Sequence, residues 1–223
     1  MRIDDICLVV SDVDRSDEFY STTLGLERRM RNVRFVDFRL GDGARLAMWV
    51  EHSIAETVGP SYPVGPGMPF TVTLETSGAA TEVFADPDGI TIIRNHRLVE
   101  STRLAAATLV VSDLARSAAF LETLGFRAVR ADARWIEFDG TSMSLTITLD
   151  VPSTPAAPST GRVMLAIELE TGPEVDALWA ELRGSGLADS GPPRVYEWGS
   201  RSVYFVDDDG YIWEIYAWVE TPQ

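Results

Sequence analysis

The sequence has one cysteine, no lysine and two histidines among its 223 residues. A lone cysteine, Cys7, cannot form an intrachain disulfide, which favours a reducing compartment. Its apolar neighbours indicate a buried, unreactive thiol rather than a nucleophile. The apolar runs are far shorter than a membrane span, and the N-terminal residues do not resemble a secretory signal. We therefore expect a cytoplasmic protein without a membrane partner.

Positive charge is also scarce, because 19 arginines face 34 acidic residues and the formal net charge is -15. Nucleic acids and anionic membranes bind basic patches, so neither is expected as a partner. The sequence has no phosphate-binding glycine loop, nucleophile elbow or Cys/His metal cluster. The apolar fraction of 45% is enough to build the cores of two medium-sized domains.

A repeat divides the chain near its middle. Leu-Val-Val-Ser-Asp occurs at 8–12 and again at 109–113. Each copy is followed by a helix pattern that begins at the Ser-Asp pair and ends at a glycine, Gly25 or Gly125. Three strand-like runs come next, so each copy opens as β-α-β-β-β. The repeat predicts two domains, residues 1–100 and 101–223.

The second halves of the two copies differ in length. Asp12 and Asp113 are 113 − 12 = 101 residues apart, whereas the acidic turns at Asp86 and Asp207 are 207 − 86 = 121 apart. Domain one is therefore shorter by 121 − 101 = 20 residues between these marks. We predict that domain one is truncated and lacks its second helix, because too few residues remain for one.

Domain two has room for a second complete β-α-β-β-β unit. Its helix is predicted over Pro173–Leu182, where Val175, Leu178 and Leu182 form an apolar stripe. Spacers rich in proline and glycine, Val58–Gly67 and Val151–Gly161, join the two halves of each domain.

These motifs together resemble the vicinal oxygen chelate superfamily, which includes glyoxalase I, bleomycin-resistance proteins and extradiol dioxygenases. The matching features are the two Leu-Val-Val-Ser-Asp strands, the Arg-Ser pairs at 15–16 and 116–117, Trp-Gly-Ser-Arg at 198–201 and the Asp-x-Asp-Gly turns at 86–89 and 207–210. The resemblance implies an α+β fold of tandem paired βαβββ units. Their curled mixed and antiparallel sheets would form a cup, with the short helices outside.

Enzymes of that superfamily hold a divalent metal in the cup, and most of its ligand positions are altered in this sequence. In domain two the resemblance places these positions at Ala106, approximately Met164, and Glu214, so only Glu214 remains. In domain one they fall at Asp5, near Phe70, and at Ile93. Neither histidine occupies such a position, and we expect both His52 and His96 at solvent-facing strand ends. One carboxylate does not hold a catalytic divalent ion, so we expect no metal and no cofactor, with one divalent metal as the alternative.

The candidate ligand-binding residues combine carboxylates with aromatic side chains. A carboxylate on an apolar strand, such as Glu214, is costly unless it is used, although pairing with an arginine is equally compatible. Glu168 shares the strand parity of Met164, or else is a solvated strand end. The tryptophans would form flat walls, unless they are ordinary core residues. The candidates are Trp49, Trp135, Met164, Glu168, Tyr196, Trp198 and Glu214.

From the sequence we expect a metal-free protein that binds a small organic ligand, planar or cationic, in the cup of domain two. The alternative is a metal-dependent or acid/base enzyme of the same superfamily, a lyase, isomerase or extradiol-type dioxygenase, that uses Glu214. Either protein would be a monomer or a homodimer whose partner is a small molecule.

Overall fold

The computed structural model describes residues 2–41, 43–78, 80–141, 143–151 and 161–219. Most of the predicted spacer Val151–Gly161 lies outside these residues. Within them the chain forms four successive units of strands with short helices, as the α+β prediction requires. None of the helices in the described ranges is long and apolar enough to span a membrane.

The first two units come from the predicted domain one. The first contains β1 (Ile3–Val10), α1 (Val13–Glu18), β2 (Glu27–Arg31), β3 (Phe35–Arg39) and β4 (Arg45–Val50), followed by α2 (Glu51–Val58). The second contains β5 (Phe70–Thr76), β6 (Glu82–Ala85) and β7 (Thr91–His96). The described residues between β5 and β6 form bends rather than a helix.

The last two units come from the predicted domain two. The third unit contains β8 (Arg103–Val110), α3 (Leu114–Thr123), β9 (Arg127–Ala131), β10 (Trp135–Asp139) and β11 (Ser144–Thr148). The fourth contains β12 (Val163–Glu168), α4 (Gly172–Leu182), β13 (Ala188–Asp189), β14 (Arg194–Val195), β15 (Ser200–Val206) and β16 (Ile212–Trp218).

The units pair across the repeat rather than within it. In the described part of the chain, the first and fourth units form a nine-stranded sheet in the order β13-β15-β16-β12-β1-β4-β3-β2, with β14 beside β15. The second and third units form a seven-stranded sheet in the order β6-β7-β5-β8-β11-β10-β9. Strand β1 joins the first unit to the fourth through its antiparallel pairing with β12. The sequence leaves open how the halves of each domain pair; in the structure the first unit supplies four strands of the nine-stranded sheet, so the cup predicted in residues 101–223 is shared with the first unit.

The two acidic turns connect one sheet to the other. Asp88 Oδ1 accepts a hydrogen bond from the backbone N–H of Ser11 (3.1 Å), and Asp209 Oδ1 accepts one from Ser112 (2.9 Å). Each turn thus binds the strand-to-helix corner of a unit in the opposite sheet. Asp207 orders its own turn by accepting the indole N–H of Trp213 (2.9 Å). The repeated Ser-Asp and Asp-x-Asp-Gly motifs are therefore architectural.

Helix α2 was not predicted, since the sequence analysis ends a strand at Val50 and begins a spacer at Val58. The helix follows β4 directly and has no side-chain cap, so the usual N-terminal signal is missing. Its buried residues are Ser53, Ile54 and Val58. His52 is exposed in the first turn of this helix, so its expected place at a strand end is wrong. His96 does end a strand, β7, where its Nε2 lies 3.1 Å from Glu82.

Candidate functional site

The concave side of the nine-stranded sheet contains a cavity of about 230 Å³. Its floor comes from central strands of the sheet and includes Asp5, Arg45, Met164 and Glu214. Helix α2 forms one side through Ser53, Glu56 and Thr57, and the β2–β3 hairpin borders the opening. The first unit and the fourth unit therefore build this site jointly.

A single row of paired residues crosses the floor from strand to strand. Asp5 on β1 lies between Arg45 on β4 and Ala166 on β12, and Ala166 lies beside Glu214 on β16. Tyr204 on β15 completes the row and donates its hydroxyl to Glu214 Oε1 at 2.9 Å. Ala166, which has only a methyl side chain, is thus the residue between the strands of the two carboxylates.

Arg45 is the centre of a buried polar network beside this row. Its Nη2 donates to Asp4 Oδ2 (2.8 Å) and to the hydroxyl of Tyr216 (2.8 Å), and it lies 3.6 Å from Asp5 Oδ2. The Tyr216 hydroxyl in turn donates to Asp4 Oδ2 at 2.5 Å. On the other side, Arg45 Nη1 is 3.9 Å from the fully buried Asp37. Asp37 is bound mainly by Arg29, whose Nε donates to Asp37 Oδ2 at 2.9 Å, so Arg45 chiefly serves Asp4 and Asp5.

A β-bulge explains how two consecutive aspartates reach the same guanidinium. The pairing of β1 with β12 shifts register between Ile3 and Asp5, so Asp4 is the extra residue. In a regular strand successive side chains point to opposite faces, and a bulge relaxes that alternation. Asp4 and Asp5 are both buried, at 5% and 4% exposure.

Burial without enough positive charge raises the pKa of both floor carboxyls. Burial is the main cause of the rise of the Asp5 pKa to about 7; Arg45 lowers it, whereas Asp4, Asp37 and Glu214 add to the rise. Burial likewise raises the pKa of Glu214 to about 7, against the hydrogen bonds from Ser202 and Tyr204. Asp5 Oδ1 is buried and has no hydrogen-bond partner among the described residues. Near neutral pH each of these two carboxyls can therefore accept a proton from a molecule in the cavity or donate one to it.

Aromatic rings form the walls above the floor. Trp49 meets Trp198 edge to face at 5.7 Å between centroids, and Phe35 meets Trp49 in the same way at 6.0 Å. Tyr196 stacks on Trp198 at 4.6 Å with 16° between the rings. Such rigid, flat surfaces suit a planar ligand.

The structure brings four of the seven predicted residues to the cavity: Trp49, Met164, Trp198 and Glu214. Tyr196 lies behind Trp198 and supports it. Glu168 is exposed two residues beyond Ala166 on β12 and does not line the cavity, because it lies past the row that forms the floor. Trp135 is on β10 in the other sheet, so the pairing of the units separates it from this site.

The roles of four residues at this site are not evident from the sequence: Asp4, Arg45, Phe35 and Tyr216. One signal was available, since Asp4-Asp5 interrupts a strand that is otherwise apolar. Asp5 was considered only as an altered ligand position of domain one, whereas the structure places it in the same cavity as Glu214. Arg201, the last residue of the Trp-Gly-Ser-Arg motif, forms an ion pair with Asp176 on α4 at 2.6 Å.

The residues of the floor do not fit a divalent metal. No group of three His, Cys, Asp or Glu side chains in the described residues is arranged to hold an ion. Asp5 and Glu214 are accompanied by the thioether of Met164 and by the Arg45 guanidinium, whose positive charge opposes a second cation.

Comparison with known proteins identifies the family of this fold and site. Residues 103–215, just over half of the chain, match the Glyoxalase/Bleomycin resistance protein/Dioxygenase superfamily, and residues 2–41 match a bleomycin resistance protein-like N-terminal family. The chain belongs to the Glyoxalase/Bleomycin resistance protein/Dioxygenase superfamily, which confirms the resemblance. Among curated proteins, none matches this sequence.

Solved structures share the fold at low sequence identity. A putative dioxygenase from Bacillus subtilis is 13% identical, with a TM-score of 0.67 over 99% of this chain and 86% of that chain. Glyoxalase I from Zea mays is 17% identical, with a TM-score of 0.62 over 97% of this chain and 92% of that chain. These similarities support the α+β fold of paired units and leave the chemistry to the residues of the site.

Proposed function

We propose that this protein binds a small planar organic molecule, neutral or cationic, in the cavity of the nine-stranded sheet. The observation that carries the proposal is the combination of the Trp49–Trp198 walls with the buried carboxyls of Asp5 and Glu214 at the floor. Rings would stack against the walls, and a hydrogen-bond donor or a protonated nitrogen would reach Glu214.

The test is a fluorescence titration with planar compounds that differ in charge. Binding near Trp49 and Trp198 should change tryptophan emission, and Trp198→Phe should remove most of that change. Trp179→Phe is the matched control, because Trp179 lies on α4 outside the cavity lining. Glu214→Gln should lower the affinity for a cationic compound by about tenfold or more, because it removes a buried charge contact. An unchanged signal across a broad set of compounds would contradict the proposal.

A second candidate function is proton transfer by a metal-independent enzyme of the lyase or isomerase type. The raised pKa of Glu214, about 7, and its hydrogen bond from Tyr204 favour this alternative. Such a group can accept a proton from a bound substrate near neutral pH and return it. A bound compound that exchanges a carbon-bound hydrogen with deuterated solvent, in wild type but not in Glu214→Gln, would support the enzyme.

A further inference from the structure

Three buried carboxylates surround Arg45 beneath the cavity, although Asp37 is bound mainly by Arg29, whose Nε donates to its Oδ2 at 2.9 Å. Asp4, Asp5 and Asp37 all lie within 4 Å of Arg45, at 2.8, 3.6 and 3.9 Å, and the side chain of Arg45 is only 16% exposed. An ordinary surface ion pair has one partner. Carboxylates gathered around one cation are also the ligands by which proteins bind a hard divalent metal ion.

The position of Arg45 matches that arrangement in space as well as in charge. Arg45 and Glu214 lie on the outer strands of a four-strand row, with Asp5 and Ala166 between them. Ala166 contributes only a methyl group to this row, and the guanidinium lies 3.6 Å from Oδ2 of Asp5. Asp5 Oδ1 has no hydrogen-bond partner among the described residues.

We propose that the Arg45 guanidinium takes the place of a divalent cation in this cavity and keeps the site free of metal. Arg45 donates a hydrogen bond to Asp4 and forms an ion pair with Asp5, and this cation is covalently attached to β4 and cannot dissociate. A divalent ion could bind only by displacing the guanidinium. The positive charge of Arg45 and its hydrogen bonds to Asp4 and Tyr216 oppose that displacement. The proposal holds whichever organic ligand the cavity takes.

This proposal predicts that one substitution creates a metal site. Arg45→His removes the cation and places an imidazole beside Asp5 in the row, so that the cavity lining then offers an imidazole with the carboxylates of Asp5 and Glu214. Wild type and variant would be dialysed separately against Co²⁺ and Zn²⁺, and the metal content of each chain measured. We expect stoichiometric uptake only by the variant, with a Co²⁺ absorption spectrum typical of four or five ligands. Adding Glu214→Gln to the variant should abolish the uptake.

Arg34→His is the matched control, because Arg34 also lines the cavity but is exposed at its opening. It introduces the same imidazole without releasing Asp4 and Asp5, and it should take up no stoichiometric metal. If near-ultraviolet circular dichroism shows that Arg45→His does not fold, Arg45→Gln is tested in its place. It frees the carboxylates without adding a ligand, so we expect at least a tenfold gain in Mn²⁺ affinity over wild type.

Two results would overturn the proposal. One is stoichiometric metal in the wild type that Glu214→Gln removes, since Arg45 would then coexist with a metal. The other is a folded Arg45 variant that binds metal no better than wild type or Arg34→His. Neither result depends on an organic ligand, so failure here is distinct from failure of the proposed binding function.

Discussion

At the scale of single residues, the cavity floor is defined by carboxyls that are buried without full neutralisation. In the folded chain the pKa values of Asp5 and Glu214 are both about 7, against ordinary values of 3.8 and 4.5. The folded state therefore retains two protons that the unfolded chain releases between about pH 4 and pH 7. Since protons favour the state that binds them, stability from these groups is present at acid pH and lost as the pH rises through 7.

We predict that the free energy of unfolding falls between pH 5 and pH 8. Each of the two carboxyls lowers it by about 1.4 kcal/mol for every pH unit over which that group is protonated in the folded chain and ionised in the unfolded chain. Urea unfolding at a series of pH values measures this slope. Asp5→Asn and Glu214→Gln should each reduce it, whereas the exposed substitution Glu122→Gln on α3 should not. A stability that rises with pH would contradict the prediction.

The Tyr204 hydroxyl offers a finer test at the same scale. Its hydrogen bond to Glu214 favours the ionised carboxylate, so Tyr204→Phe should raise the pKa of Glu214 further above 7. Carbon-13 NMR titration of the Glu214 carboxyl would report the shift. Tyr62→Phe, which removes a hydroxyl contact with Glu51 outside the floor, provides the comparison. An equal or lower pKa in Tyr204→Phe would show that the hydrogen bond has no such effect.

At the scale of elements, the sequence predicts most strands but not the features that shape the site. The period-2 pattern and the glycine-bounded turns identify β3, β4, β15 and β16. The pattern does not identify the bulge at Asp4, because a shift of register is visible only when the partner strand is known. It also misses α2, which has no capping side chain at Val50 and is followed by a proline-rich segment.

The two spacers end in a close backbone contact, between Gly67 and Gly161, that the sequence does not predict. A Cβ placed on Gly67 would lie 2.1 Å from the carbonyl oxygen of Gly161, so the two backbones touch. We predict that Gly67→Ala lowers the free energy of unfolding by about 1–3 kcal/mol, because backbone cannot move aside as a flexible side chain can. Gly184→Ala, with no atom within 4 Å of the added methyl, should be nearly neutral. Urea unfolding of both variants would decide, and equal stabilities would show that the contact relaxes freely.

At the scale of the whole molecule, the repeat is read from the sequence but the pairing of its units is not. Strand β1 is buried along its whole length, and its apolar residues would suit β5 of its own half as well as β12. Local patterns are the same in either arrangement, so only the assembled sheets distinguish them. For this reason Asp5 and Glu214 belong to different predicted domains although they share one cavity, and Trp135 lies in the other sheet from Glu214.

The exchanged pairing predicts that the two halves of the sequence do not fold separately. Residues 101–223 alone would leave β12 without its partner β1 and Glu214 without Arg45. We expect this fragment to lack cooperative unfolding and ligand binding, and coexpression with residues 1–100 to restore both as a complex. Circular dichroism melting of the fragments, singly and together, measures this. A fragment 101–223 that melts cooperatively and binds alone would contradict the pairing.

The pairing of β1 with β12 also has a consequence for synthesis on the ribosome. Asp5 and Arg45 emerge early, whereas Ala166 and Glu214 follow only after most of the chain has been translated. Until then β1 is an apolar strand with one unpaired edge, which is a surface prone to aggregation. Slow translation, or a stop before β12, would therefore leave a first unit with an open edge and half a binding floor.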